Sequence, residues 1–220
     1  MLRNEQVIDF FTNEMTLASI DGPKDSVLTK NHHVSAYPTL VMLDKDGSEV
    51  DRIVGYREPG VFLQTLQDYR KGIGTLGDLL NKARTNPDRT LAFEIADKYK
   101  YRGGSEDAAT WYQKVLEAGD PRDSLSGESR MELADMYRRA KEYDRALAAF
   151  GGVMKDFEGQ LFAQDAQLWT AIIHKDKGDT ATAINIYENF VKQYPESEDI
   201  EWVQKQVKKL KGEPVEEKKK

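Results

Sequence analysis

Apolar residues along the first seventy positions change their period several times. Asn4 is placed to cap a helix running to about Asn13, in which Val7, Ile8, Phe10, Phe11 and Met15 form an apolar face. Thr16–Ile20 then reads as a short buried strand, stopped by Asp21-Gly22-Pro23, and Ser26–Asn31 as a short helix. Two further runs, Thr39–Leu43 and Glu49–Gly55, are rich in β-branched and aliphatic residues. Asp44-Lys45-Asp46-Gly47 joins them, with Asp and Gly residues that tolerate the positive φ of hairpin loops, so a β-hairpin is predicted. Tyr37-Pro38-Thr39 precedes the first of these strands. Proline cannot donate to a ladder, so Pro38 marks an edge, a bulge or a cis turn. Pro59 suits the first turn of another helix, with Phe62, Leu63, Leu66 and Tyr69 at helical spacing and Gly72 at its end.

Beyond Gly74 the strand period disappears. Residues 74–87, GTLGDLLNKARTNP, read as a linker or short helix, and from there the pattern is helical and repeats. Ala96, Ala134 and Ala171 correspond, as do Tyr99, Tyr137 and His174. Ala108, Ala146 and Ala183 form a third set, spaced by 38 and 37 residues, and Tyr112, Phe150 and Tyr187 a fourth. Small residues let paired helices approach, and the aromatics fill the space between neighbouring hairpins. Gly103 and Gly178 fall at the inter-helix turns of the first and third units, whereas the second has Lys141 there. Gly151-Gly152 lies inside a helix, where close helix contact or a bend is expected. Ile200, Val203, Val207 and Leu210 predict a final helix over 198–211 that covers the last open face, and the tail 213–220 has no apolar period and reads as disordered.

The four recurring positions resemble the tetratricopeptide (TPR) pattern, with a few extra loop residues in each unit. The order helix, strand, short helix, strand, strand, helix resembles a thioredoxin domain without its start. The Tyr37-Pro38-Thr39 entry, the Asp-Lys-Asp-Gly hairpin and the Arg52…Gly55-Tyr56 exit carry that likeness. The expected fold class is therefore α+β: a partial thioredoxin-like α/β domain (1–73), a linker or short helix (74–87), then an all-α TPR-like array with a capping helix (88–212). The thioredoxin resemblance implies a CxxC motif and a central strand upstream of Met1, which leaves a slot beside Thr39–Leu43. Three ways of closing that slot are expected: a sheet collapsed to three strands, a strand given by another chain or by self-association, or a longer parent protein. It also implies that Tyr37 and Pro38 form a peptide-docking edge, or that Pro38 is kept for hairpin packing alone.

Charge and composition narrow the function. The net charge is −6 and neither half is basic, so nucleic acid is excluded as a partner. Lys218-Lys219-Lys220 reads as a solvated tail. No apolar run reaches the length of a membrane span, no secretory leader pattern opens the chain, and an exported bacterial setting is implied by resemblance only. The 220 residues include no cysteine, so the chain as given has no thiol nucleophile, disulfide or thiolate metal site. His32 and His33 are adjacent and diverge, and His174 stands at an aromatic repeat position, so no metal or other cofactor is expected. No phosphate loop or acid–base carboxylate pair stands out.

Protein binding remains. The inner surface of the array is expected to present Phe93, Asp97 and Lys100 from the first unit, Met131, Asp135 and Arg138 from the second, and Leu168, Ile172 and Lys175 from the third. The Lys and Asn pair with which TPR proteins clamp a peptide carboxylate is absent, so a helix or extended segment of a protein or peptide partner is expected rather than a free C-terminus. The functional expectation is a non-catalytic interaction module or adaptor. The alternative is the C-terminal portion of a thioredoxin-family thiol–disulfide oxidoreductase whose CxxC lies upstream. In a third reading the array is structural and mainly holds the N-terminal domain.

Overall fold

The computed structural model describes residues 2–22 and 24–214. Two compact units divide the chain, Met1–Lys114 and Val115–Lys220. Residues 215–220 of the tail, and Pro23 of the predicted turn, lie outside the described residues.

In the first unit, α1 (Glu5–Glu14) begins where the Asn4 side chain accepts from the amides of Gln6 and Val7, and it buries Val7 and Phe10. Thr16–Ile20 is not a strand. It has no regular structure, and Leu17 and Ile20 are exposed, so an apolar run without a sheet neighbour stays irregular. The short helix α2 (Ser26–Asn31) forms as the pattern predicts but buries nothing. Strands β1 (Thr39–Leu43) and β2 (Glu49–Val54) pair antiparallel, with Leu40 opposite Ile53 and Met42 opposite Asp51. Asp44 Oδ1 closes their turn by accepting the amides of Asp46 and Ser48, both at 2.9 Å, and Gly47 takes φ +82°. The described sheet contains these two strands alone, so the three-strand collapse does not occur. Pro59 opens α3 (Pro59–Arg70), which lays Phe62, Leu66 and Tyr69 over Val7, Phe10, Met42 and Ile53.

The stretch read as linker or short helix is α4 (Leu76–Thr85). Thr75 caps Asp78, whose carboxylate accepts the Gly74 amide at 2.7 Å, a reciprocal pair that satisfies two otherwise orphaned donors. The Lys82 ammonium and that amide hold the Asp78 carboxyl below the usual carboxylate range. Helices α5 (Arg89–Tyr101) and α6 (Ser105–Glu117) follow, the last residues of α6 belonging to the second unit.

A charged network joins the hairpin to α4 and α5 within the first unit. Asp51 is fully buried. Its Oδ1 takes Lys98 Nζ and Arg102 Nη2, both at 2.9 Å, and its Oδ2 takes the Leu76 amide at 2.7 Å. Arg52, buried beside it, pairs with Glu49 through Nε at 2.7 Å. Its Nη1 donates to the His32 carbonyl at 2.9 Å and to the Tyr101 carbonyl. Those carbonyls belong to the C-terminal ends of α2 and α5, where the helix dipole favours a cation.

The second unit is all helical: α7 (Ser124–Arg139), α8 (Tyr143–Asp156), α9 (Leu161–Asp176), α10 (Thr180–Gln193) and α11 (Ile200–Lys211). Ala134, Ala146, Phe150 and Val153 pack with Ala166 and Ile173 in one core cluster. Leu168, Ala171, Tyr187 and Phe190 pack with Val203 of α11 in another. The expected close contact at Gly151-Gly152 is absent: a Cβ added at either position meets no atom within 4 Å.

Candidate protein-binding surface

The three helical hairpins turn in the same way. In the first, the Gly103 amide donates to the Lys100 carbonyl and the Gly104 amide to that of Tyr99. In the second, Lys141 donates to Arg138 and Glu142 to Tyr137. In the third, Gly178 donates to Lys175 and Asp179 to His174. The turn residues have φ +79°, +60° and +82°, so one left-handed cap recurs although the second copy lacks glycine. Behind each turn the small residues Ala96, Ala134, Ala171, Ala108, Ala146 and Ala183 are fully buried, as are Tyr112, Phe150 and Tyr187. The repeat register read from the sequence is the packing register.

Fifteen residues separate a first-helix position from the aromatic it faces. Tyr112 donates its hydroxyl to Asp97 Oδ1 at 2.5 Å, and the Phe93 ring meets Tyr112 edge-on at 5.5 Å. In the second hairpin the pair is Asp135 and Phe150. There Asp135 turns instead to Arg138 at 2.6 Å and Arg139 at 2.5 Å. In the third it is Ile172 and Tyr187, and among the described residues the buried Tyr187 hydroxyl has no hydrogen-bond partner. Burial, with the nearby Asp176 charge adding to it, pushes the Tyr187 phenol up to about 12.

The residues expected to bind a partner therefore divide. In the first unit, Lys100 pairs with Asp97 at 2.9 Å and lies over the Tyr101 ring. Phe93 and Asp97 are engaged with Tyr112. In the second unit, Met131, Asp135 and Arg138 share α7, with Met131 leaning on the core and the Arg138 guanidinium 4.5 Å from the Trp169 ring centre. Leu168 is buried and Ile172 packs beside it among side chains of α11, so these two belong to the core. Lys175 is partly exposed, 3.9 Å from Asp176. The acid and base at adjacent turns of α5 and of α7 neutralise one another, and neither face is a free cationic strip.

Trp169 and Arg139 escaped the sequence reading. Trp169 directly follows the inner position Leu168 and extends the α7 surface through Arg138; it falls outside the small and aromatic positions that recur in the sequence. Tyr37 is exposed, its ring against Gly22, where no Cβ fits. The Tyr37-Pro38 peptide is cis, and the Pro38 carbonyl accepts the Gly55 amide at 2.8 Å. His174 Nδ1 lies 3.1 Å from Asp179, the α10 cap. Among the described residues, no three His, Asp or Glu side chains group to hold a metal ion, and no helix is long and apolar enough to cross a membrane.

This architecture defines a class: antiparallel helical hairpins in which small and aromatic positions recur in register. Residues 165–197 match the tetratricopeptide-repeat family model, so the chain contains a TPR repeat formed by α9 and α10. Chains of solved structures match as well. One, titled "Crystal structure of MamA", is 15% identical with a TM-score of 0.51, covering 72% of this chain and 85% of that one. At that identity the likeness is one of fold. No curated protein matches.

Proposed function

We propose that the chain is a non-catalytic protein–protein interaction adaptor whose TPR-type hairpins bind a segment of a partner protein. The recurrence of one turn and one packing register in three hairpins, with a TPR match at 165–197, carries this reading. Met131, Asp135, Arg138 and Trp169 supply an amphipathic contact surface in the second unit, with Lys175 beyond it on α9. Lys100 is the equivalent cation of the first hairpin. A mixture of thioether, ion pair and cation-stacked indole suits a helical or extended protein segment. The test is capture of a partner by the immobilised chain before and after charge reversal at Lys100, Arg138 and Lys175. Capture is expected to disappear while the helical circular dichroism persists; undiminished capture would sink the proposal.

A second reading is favoured by the order α1, α2, β1, β2, α3 and by the Tyr37-Pro38 entry to β1. Under it, residues 1–73 are the later part of a thioredoxin-like domain, either redox-inactive or taken from an oxidoreductase whose dithiol lies upstream. Among the described residues β1 pairs with β2 alone, which supports strand donation or self-association at its other edge. With no cysteine, this chain is expected to reduce insulin only at the uncatalysed rate. A rate above that would overturn the non-catalytic reading.

A further inference from the structure

The outer edge of β1 has a definite register. Even-numbered residues face β2: the Pro38 carbonyl accepts the Gly55 amide at 2.8 Å, and the Asp44 amide donates to the Ser48 carbonyl at 2.9 Å. Bonding alternates along an antiparallel ladder, so the amides and carbonyls of Thr39, Val41 and Leu43 point the other way. Among the described residues no strand lies there to meet them.

Sheet edges are ordinarily blunted by a lysine, a proline, an inward charge or a bulge, which keep other strands away. Thr39-Leu40-Val41-Met42-Leu43 has none of these. It is uncharged, and the extra residue of the ladder's irregularity, Val50, lies on β2. Met42 is buried in the core of the first unit, while Leu40, on the same face, is only partly covered. Leu43, on the opposite face, is 41% exposed.

We propose that the strand pairing with this edge is β1 of a second copy, antiparallel about a two-fold axis at Val41. A two-fold interface must complement itself, a demand that a strand with charges of one sign, or with one polar and one apolar face set across each other, does not meet. Here Val41 faces Val41 of the second copy and Thr39 faces its Leu43, so all three outward residues of each strand are bonded. Leu40 faces Met42 of the second copy on the core side, which joins the two apolar cores across the new ladder. Neither face brings a charge into the pairing. A slip of two residues in either direction leaves one outward residue of each strand without partners, which fixes the register. This inference rests on the second reading above, in which β1 is open to another strand, and names that strand.

Sedimentation equilibrium of the 220-residue chain is expected to show a monomer–dimer equilibrium. Because the chain has no cysteine, single introduced thiols report the register. Directly opposed residues have Cα atoms about 5.5 Å apart, within disulfide reach. Val41→Cys is expected to cross-link with itself on mild oxidation, and Thr39→Cys only when mixed with Leu43→Cys. Val41→Lys sets like charges opposite each other and should raise the dimer dissociation constant at least about tenfold. Mixing it with Val41→Asp should restore association, which also shows that both variants fold. Thr39→Cys cross-linking with itself as readily as Val41→Cys overturns the assignment. Amide exchange separates the pairing from the reading beneath it: protection at Thr39, Val41 and Leu43 should rise with chain concentration. A chain that stays monomeric while these amides exchange freely overturns the pairing and leaves the edge open to another protein's strand. A monomer in which they are protected overturns the open edge as well.

Discussion

Tyr112 gives its hydroxyl proton to Asp97 at 2.5 Å, while Tyr187, at the equivalent position two hairpins later, packs in one cluster with Ile172 and has no hydroxyl partner among the described residues. The same buried aromatic thus stabilises one hairpin through a charged acceptor and carries an unsatisfied polar atom in another. Tyr112→Phe is expected to cost about 1–3 kcal/mol, whereas Tyr187→Phe removes a desolvated hydroxyl and gains up to about 1 kcal/mol. Urea unfolding of the two variants checks the opposite signs; losses in both would mean that Tyr187 has a partner.

The pH dependence follows from the same residue. The folded state holds the Tyr187 phenol near 12, above its ordinary value of about 10, so it stays protonated after the unfolded chain ionises. Its contribution is complete below pH 10 and is lost as pH rises from about 10 to about 12, at up to about 1.4 kcal/mol per pH unit. Tyr187→Phe is expected to flatten the alkaline fall in stability over that window, measured by denaturant titration at stepped pH. An unchanged slope would place the phenol's titration elsewhere.

Lys141 occupies φ +60° at the turn where its counterparts are Gly103 and Gly178. A side chain in the left-handed region costs about 1 kcal/mol, so Lys141→Gly is expected to stabilise the protein by roughly that amount. The converse substitutions should differ from each other. At Gly178 an added Cβ meets nothing, so Gly178→Ala costs only the backbone strain. At Gly103 it would sit 2.6 Å from His33 Nδ1, so Gly103→Ala costs more. Thermal unfolding of the three variants tests the order; equal losses at 103 and 178 would deny the His33 contact.

The helical half was legible because its signal recurs. Ala134 or Phe150 alone says little, but four residue types returning in register constrain the packing, and each of those alanines is buried. Thr16–Ile20 was misread because its apolar run has strand composition and lacks a neighbour to pair with, a property of the whole sheet and not of the segment. Leu168 and Ile172 match inner-face positions of the repeat, yet they lie in a core cluster with residues of α10 and α11, a burial that depends on elements outside their own helix. Asp51, Arg52 and Lys98 were invisible for another reason. A strand reading of EVDRIV expects its charges to face water, and only the fold shows two of them buried against α4 and α5.

That burial makes Asp51 the most consequential carboxylate of the first unit. Removing it takes the carboxylate from Lys98, leaves Arg102 with Glu49 at 3.2 Å, and deprives the Leu76 amide of its acceptor. Asp51→Ala is expected to cost about 3–5 kcal/mol, the range for breaking one side of a buried ion pair. Hydrogen exchange locates the effect: amides of β2, α4 and α5 should lose protection, while those of α9 and α10 keep theirs. Uniform loss of protection along the chain would mean that the network does not act locally.

Gly127 tests the packing of the second unit by reversing an ordinary rule. It lies in α7, where replacing glycine by alanine should help the helix by about 1 kcal/mol. Yet a Cβ there would lie 2.5 Å from Cε2 and 2.6 Å from Cδ2 of Phe162, whose ring is set edge-on against Phe157 at 5.2 Å. The ring cannot retreat without disturbing Phe157, which is fully buried. Overpacking of this kind costs about 1–3 kcal/mol, so Gly127→Ala should be a net loss despite the gain in helix propensity. Phe162→Leu supplies the control. In the wild-type background it removes the ring and destabilises; in the Gly127→Ala background it also removes the clash, so the double variant should be more stable than the two losses added together predict. A double-mutant cycle in urea measures this coupling. Strict additivity, or a stabilised Gly127→Ala, would show that α7 and α9 do not meet at this point.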